Sequence, residues 1–329
     1  EGGLDWTPGQ EPRLDLRARI PEMDAVGSLD YLPERVLQQR TMDWLRRALR
    51  DGRFTQTRAR LSGRLSAWPF AQGEGGFEAS TRLTDLTLKY GRDWPVARSV
   101  QGELRFRPGS LSTDGATARV AGVALRDIDG RIPVLDAPRL ELQARIGSEA
   151  GALLDWLPRL PLQDVAFLSR RQWDLAGPAR IEASARLDLR DDTRLMNLDG
   201  AAVLEGVSAH AGVLALSDIA GRLRFDAEGP RDSDLQAVWS GHAAELSWDR
   251  RERGDTLALR GRFPAAEVIN ASLPAGTDSH AWVSGSAHWT LKLETGDGVN
   301  WLLLHSDLIG VESRLPAPLA KLAPERREL

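Results

Sequence analysis

Apolar and polar residues alternate at every second position along much of this chain. Leu14, Leu16, Ala18 and Ile20 share one parity, with Arg13, Asp15, Arg17 and Arg19 on the other. Leu140, Leu142, Ala144 and Ile146 repeat the arrangement. Ile181, Ala183, Ala185, Leu187 and Leu189 do the same against Glu182, Ser184, Arg186 and Asp188. Further on come Leu257, Leu259, Gly261 and Phe263, then Ala287, Trp289, Leu291 and Leu293. A strand turns its side chain to the opposite face at each residue, so every such segment has one oily and one wet side. One-sided strands belong to antiparallel sheets. Turn signals such as Pro108-Gly109, Asp114-Gly115, Asp199-Gly200 and Gly229-Pro230 punctuate them, which predicts a meander.

Helical spacing is confined to three places. Residues 33–50 carry Leu37, Thr41, Trp44, Leu45, Ala48 and Leu49 on one stripe. Pro33 suits the first turn of that helix and Gly52 a left-handed cap after its end. Shorter helices are predicted at 148–156, stopped by Pro158, and at 264–271. Each follows an alternating strand and is amphipathic, so all three are expected at the ends or edges of the sheet.

The pattern also recurs at long range. R-L-D-L-R-A-R-I from Arg13 is followed by L-D-Y-L-P from Leu29; R-L-E-L-Q-A-R-I from Arg139 is followed by L-D-W-L-P from Leu154. The offset is 126 residues for the first half and 125 for the second. V-Q-G-E-L-R-F from Val100 likewise matches I-A-G-R-L-R-F from Ile219, with weaker G-x-apolar starts at Gly63, Gly130 and Gly261. A glycine on the apolar parity lets a sheet bend or be closely approached. Repetition without a shared catalytic motif points to an extended surface. The expectation is two repeats, 1–146 (with helix 33–50) and 147–329, in one elongated piece of a longer protein.

Composition narrows the function more by exclusion. A net charge of −4 argues against a nucleic-acid binder, and the cluster of Arg46, Arg47 and Arg50 is offset by Asp43 and Asp51. With 0 cysteines there is no disulfide, thiolate metal site or cysteine nucleophile. No apolar run approaches the ~20 residues needed to span a bilayer. The chain begins at Glu1 without a signal peptide, so any anchor is expected outside it.

Catalytic signatures are lacking. His210, His242, His280, His288 and His305 have no metal-ligand spacing, and no nucleophile elbow, Walker loop or dinucleotide fingerprint occurs. The glycines at 73, 75 and 76 read as a hairpin loop. The carboxylate pairs Asp127 with Asp129 and Asp191 with Asp192 read as turn residues. No cofactor, metal or catalytic residue is expected. Tryptophan, at 11 copies, is the residue type in excess, filling the core or lining an apolar surface left open for a hydrophobic ligand.

An ordered set of segments carries a resemblance. Tyr31-Leu32-Pro33 precedes a helix bearing W-L-x-x-A-L-x-x-G (Trp44 to Gly52). Leu61-Ser62-Gly63-Arg64-Leu65 and Trp68-Pro69-Phe70 follow, then a strand from Phe77, Trp94-Pro95, and the strand from Gly102 to Phe106. In order and spacing this resembles the central periplasmic region of YhdP-type proteins, AsmA-like relatives of TamB in Gram-negative bacteria. The resemblance is strongest over residues 29–130. It implies a mainly-β fold: a long curved, taco-like antiparallel sheet forming a hydrophobic groove, with a few short helices at edges or ends. It also implies a periplasmic segment of an inner-membrane-anchored protein that carries phospholipid acyl chains between inner and outer membranes and supports outer-membrane integrity.

The family brings no catalytic residues, so the groove lining is read here from strand parity: Leu104, Phe106, Leu140, Leu142, Leu187, Leu189, Leu223, Phe225, Trp289 and Leu291. The alternative is a TamB-like assembly module that handles outer-membrane proteins by strand addition at an open edge, without lipid transport. An open apolar face distinguishes the first reading; a filled core with an exposed pairing edge distinguishes the second.

Overall fold

A computed structural model describes residues 2–5, 13–31, 39–64, 66, 75–135, 137–161, 173–190, 193–211, 214–251, 254–273, 278–296 and 299–327. Its strands are β1 (Gly2–Asp5), β2 (Arg13–Asp24), β3 (Leu49–Arg64), β4 (Gly75–Leu88), β5 (Ala97–Arg107) and β6 (Ser110–Val120). They continue as β7 (Val123–Ile132), β8 (Arg139–Glu149), β9 (Asp174–Ala176), β10 (Pro178–Asp188), β11 (Arg194–Ala211) and β12 (Leu214–Asp226). The last six are β13 (Gly229–Trp239), β14 (His242–Arg251), β15 (Gly254–Pro264), β16 (Val283–Gly296), β17 (Val299–His305) and β18 (Val311–Ser313). All belong to one antiparallel sheet of 18 strands, as the alternation predicts. Three short helices accompany it: α1 (Gln39–Ala48), α2 (Ala150–Trp156) and α3 (Ala265–Ser272). Pro33 and residues 68–70, 73–74 and 191–192, used in the sequence reading, lie outside the described residues.

The first helix departs from expectation at its end. It stops at Ala48, and Leu49 already pairs with Leu88 of β4. The ladder to β4 takes over the backbone groups that a last helical turn would have used. Gly52 is therefore not a helix cap. It lies within β3 at a φ of 112°, where a Cβ would stand 2.6 Å from the Leu86 Cα. Only glycine allows that approach.

The chain divides into two units: residues 1–147, 159–161 and 182–199, and residues 148–158, 162–181 and 200–329. In the first, β1 to β8 form an uninterrupted meander. Residues directly opposite one another point to the same face, so the register shows which side chains share it. Leu16 faces Leu61, which faces Phe77. Ala18, Ala59, Ala79, Phe106, Leu111 and Ile132 form a second row across the strands. Ile20 faces Thr57, Thr81 faces Leu104, Leu104 faces Thr113, and Thr113 faces Gly130, which faces Leu142. One apolar face thus continues from β2 to β8.

A band of bulges crosses this unit. Gln56, Asp85, Ser99, Gly115 and Asp127 sit one to each strand from β3 to β7, with φ between 46° and 60°. A register shift accompanies each. A bulge inserts one unpaired residue and bends and twists the strand. The apolar parity therefore changes across it: in β5, Ala97 is buried before Ser99, and Val100 and Gly102 take the same face after it.

In the second unit β12 to β17 form a similar meander, with β9 on β11 and β18 on β16. A bulge lies at Asp218, φ 50°, between Ser217 and Ala220, and a second register shift falls between Leu223 and Phe225. The core here is closed more fully. Phe263, Ala265, Val268 and Ala287 are wholly buried where α3 packs on β15 and β16. The rings of Trp239 and Phe263 meet edge to face at 4.9 Å.

Candidate functional site

The bulge band divides the apolar face of the first unit into a covered end and an open end. On the covered side lie Leu49, Leu86, Ala97, Ala118, Val120 and Val123, all buried, and Leu83 and Val100 are buried at the band itself. The 3-10 turn at Gly27–Tyr31 and α1 close this end, contributing Leu29, Met42 and Ala48. Aromatic residues tie it down. Trp44 Nε1 donates to the Tyr90 carbonyl at 3.2 Å, and Trp94 Nε1 to the Thr193 carbonyl at 2.9 Å. The Tyr90 and Trp94 rings are 5.7 Å apart. Burial pushes the Tyr90 phenol up to about 12.

Beyond the bulges most of the same face is only half covered, although Ile132 at the β7 end of the second row is buried. Leu61, Phe77, Ala79, Leu104, Phe106, Leu111, Leu140 and Leu142 are all partly exposed. On β2 the exposure grows, to 39% for Ile20 and 43% for Leu16. Phe77 and Phe106 touch edge to face at 5.1 Å. A threonine pair interrupts the apolar surface: the Thr57 and Thr81 hydroxyls hydrogen-bond at 2.7 Å, which satisfies both without calling on water. A contiguous, partly solvated apolar patch of this kind marks a binding surface more often than a packing defect.

The opposite face is charged, and several of its charges are paired. Arg105 bridges Glu103 at 3.1 Å and Asp114 at 2.6 Å, and its hydrogen bond holds the Glu103 carboxyl below its usual range. Arg145 reaches Asp127 at 3.4 Å and Glu182 at 3.6 Å. Asp188 is held to about 2 by the Arg190 side chain first and the Arg190 backbone N–H second.

The residues singled out from parity fall into two groups. Leu104, Phe106, Leu140, Leu142 and Leu189 in the first unit are half-buried, as are Leu223 and Phe225 in the second. Leu187, Trp289 and Leu291 are buried, at 2%, 2% and 5% exposure. Trp289 stands opposite Gly261 and Leu291 opposite Leu259, in the layer beside α3. Leu16, Ile20, Leu61, Phe77 and Leu111 also belong to the open face of the first unit. Their parity was visible; their exposure depends on where α1 ends and the bulges fall. In the second unit Leu293 and the exposed Leu302 continue the row of Trp248 and Leu257.

Among the described residues, no group of three or more His, Asp or Glu could hold a metal ion, and no helix is long and apolar enough to cross a membrane. The family model described as "YhdP protein" matches residues 1–329. The "Intermembrane phospholipid transporter YhdP" of Escherichia coli (strain K12) is 26% identical, over 96% of this chain and 25% of its own length. The chain thus spans about a quarter of that curated relative. No solved structure matches.

Proposed function

This chain belongs to the YhdP family, and from that premise we propose that it is a lipid-carrying segment whose open apolar face holds phospholipid acyl chains. The observation that supports this is the half-exposed face of β2 to β8, continuous across seven strands and free of ionised side chains in its three rows. The E. coli relative carries the phospholipid-transporter name. The lining on this reading is Leu104, Phe106, Leu140, Leu142, Leu189, Leu223 and Phe225, joined by Leu16, Ile20, Leu61 and Phe77. Leu187, Trp289 and Leu291 support it from the packed layer.

The physics is that of a surface which solvates hydrocarbon without gripping it. Moving an acyl chain out of water gains about 0.8 kcal/mol per CH2. Leucine, isoleucine and phenylalanine side chains supply that gain without directional bonds, so adjacent positions along the face are nearly equivalent and a chain can slide. The headgroup stays in water at the margin. No step requires bond chemistry, and the segment acts without catalysis.

The wider reading places the segment in the periplasm, within a protein anchored in the inner membrane by other parts of its chain, passing phospholipid between inner and outer membranes and supporting outer-membrane integrity. Lipid extraction and native mass spectrometry of the purified chain test the core of this. Phospholipid is expected at stoichiometric levels, and Leu104→Asp with Phe106→Asp should remove it while soluble yield persists. A protein that purifies free of lipid and takes none up from micelles overturns the proposal and favours strand addition at a sheet edge instead.

A further inference from the structure

The polar face of the first unit carries an arrangement that folding alone does not explain. Arg17 lies directly opposite Arg60, and Arg19 directly opposite Arg58, across β2 and β3. Like charges in directly opposed positions destabilise a sheet. The next neighbour of Arg58 is Ser80, and the next neighbour of Ser80 is Arg105. One row across four strands therefore reads Arg, Arg, Ser, Arg with no carboxylate in it.

These residues line a depression of about 430 Å³ that takes in six arginines, the four above with Arg105 and Arg107, against Glu78 and Glu103. Arg105 is already occupied by Glu103 and Asp114, and Arg60 has Asp15 at 3.9 Å. Among the described residues, neither Arg19 nor Arg58 forms an ion pair with a carboxylate, although the Arg58 charge helps, as a minor contribution, to lower the Glu103 carboxyl. By contrast Arg145, opposite Arg126 on the same face, is compensated by Asp127 and Glu182.

We propose that this depression is a binding site for a phosphate group, held by Arg19 and Arg58 with the Ser80 hydroxyl on the far side of Arg58 and the Arg17–Arg60 pair alongside. Directly opposed side chains in a sheet start about 5 Å apart, and residues two apart along a strand about 7 Å. Two guanidinium groups at that spacing can each give parallel N–H donors to one tetrahedral anion, a geometry lysine would not supply. The depression also takes in Ala18, Ala59, Ala79 and Phe106, which alternate with the arginines and Ser80 along their strands. The ligand class is a phosphate ester, free in solution or as the headgroup of a single lipid. This site is on the face opposite the apolar rows and does not depend on them.

Calorimetric titration of the 329-residue chain with sodium pyrophosphate, and separately with monomeric dihexanoyl phosphatidylglycerol, tests this. Saturable one-to-one binding of either supports the site when the Arg19→Gln, Arg58→Gln variant weakens it, and lipid binding that the variant leaves unchanged belongs to the apolar face and counts against the site. Pyrophosphate alone identifies a soluble phosphate ester; the lipid alone identifies a headgroup. Arg19→Gln with Arg58→Gln should weaken binding at least about tenfold, since two charge-assisted contacts are lost. The same variant should melt no lower than the parent, because it relieves a like-charge pair. Arg98→Gln relieves a similar pair, with Arg119, outside the depression and should leave binding unchanged. No binding of either ligand at ~0.15 M salt, equal loss in Arg98→Gln, or a collapse in melting temperature of the double variant would overturn the assignment.

Discussion

Leu16→Asp separates an open face from a core. Leu16 is 43% exposed, so a little over half of the residue is covered, with Leu61 directly opposite on one side and Gly2 on the other. Complete burial of a leucine is worth ~1.5–3 kcal/mol, so the covered part of Leu16 contributes roughly 1 kcal/mol. The new carboxylate stays in contact with water and needs no desolvation in the lipid-free protein. Leu86, beyond the bulge band, is 2% exposed, and its truncation to alanine should cost about 2–5 kcal/mol. Urea denaturation of lipid-stripped protein should show this difference as a small shift for Leu16→Asp and a large one for Leu86→Ala. Lipid content should reverse the order, because a carboxylate at position 16 must be desolvated under an acyl chain. Leu86→Ala should retain lipid wherever it folds. If Leu16→Asp destabilises as much as Leu86→Ala, or leaves bound lipid unchanged, the open-face reasoning is wrong.

Three further outcomes follow from particular contacts. Gly221→Ala should cost several kcal/mol or prevent folding, as judged by thermal melting, because φ is 130° and a Cβ would stand 2.1 Å from the Asp234 carbonyl oxygen. For Asp188, the folded pKa of about 2 lies below the reference of 3.8, so the folded state binds fewer protons between those values. The stability it adds is present above pH 4 and lost as pH falls toward 2; Arg190→Gln should return the carboxyl toward its ordinary range in an NMR titration and flatten that acid limb. Trp289 is 2% exposed with its Nε1 unpartnered, so Trp289→Phe removes a buried orphan donor as well as volume and should change stability by only ~1 kcal/mol, whereas Trp289→Ala should cost about 3–5 kcal/mol in the same denaturation assay.

Much of the sheet was legible because its side chains alternate. The segments from Arg13 and Arg139 are β2 and β8, and each is followed by a helical turn, at Gly27–Tyr31 and at α2, where L-D-Y-L-P and L-D-W-L-P begin. The Val100 and Ile219 segments are β5 and β12. What the alternation hid was the residue before each. Ser99, Asp127 and Asp218 all precede a Val or Ile with a glycine two positions further on, and all three have φ near 50°. Ser and Asp tolerate that backbone better than β-branched residues, so the bulge has a local signature, S/D-V/I-x-G. Period-2 counting breaks at such a position and reads it as the start of a strand. Exposure was less legible than parity. Trp289 and Leu104 look alike in sequence, yet α3 packs on the strand that carries Trp289, while the strand end that carries Leu104 is left half covered. That difference arises from helix placement, which neighbouring residues in the chain do not encode.

The transverse line of extra residues also constrains how such a protein can change over time. Each strand that crosses it carries a one-residue phase slip, so that both halves keep their oily edge turned the same way. Losing Ser99 alone would send Leu104 and Phe106 to the charged side and bring Glu103 and Arg105 inward. Copying or deleting a complete hairpin, slip included, preserves the phase of all its neighbours. A sheet of this design therefore lengthens by whole ribbons and resists single-residue insertion or deletion within any one of them.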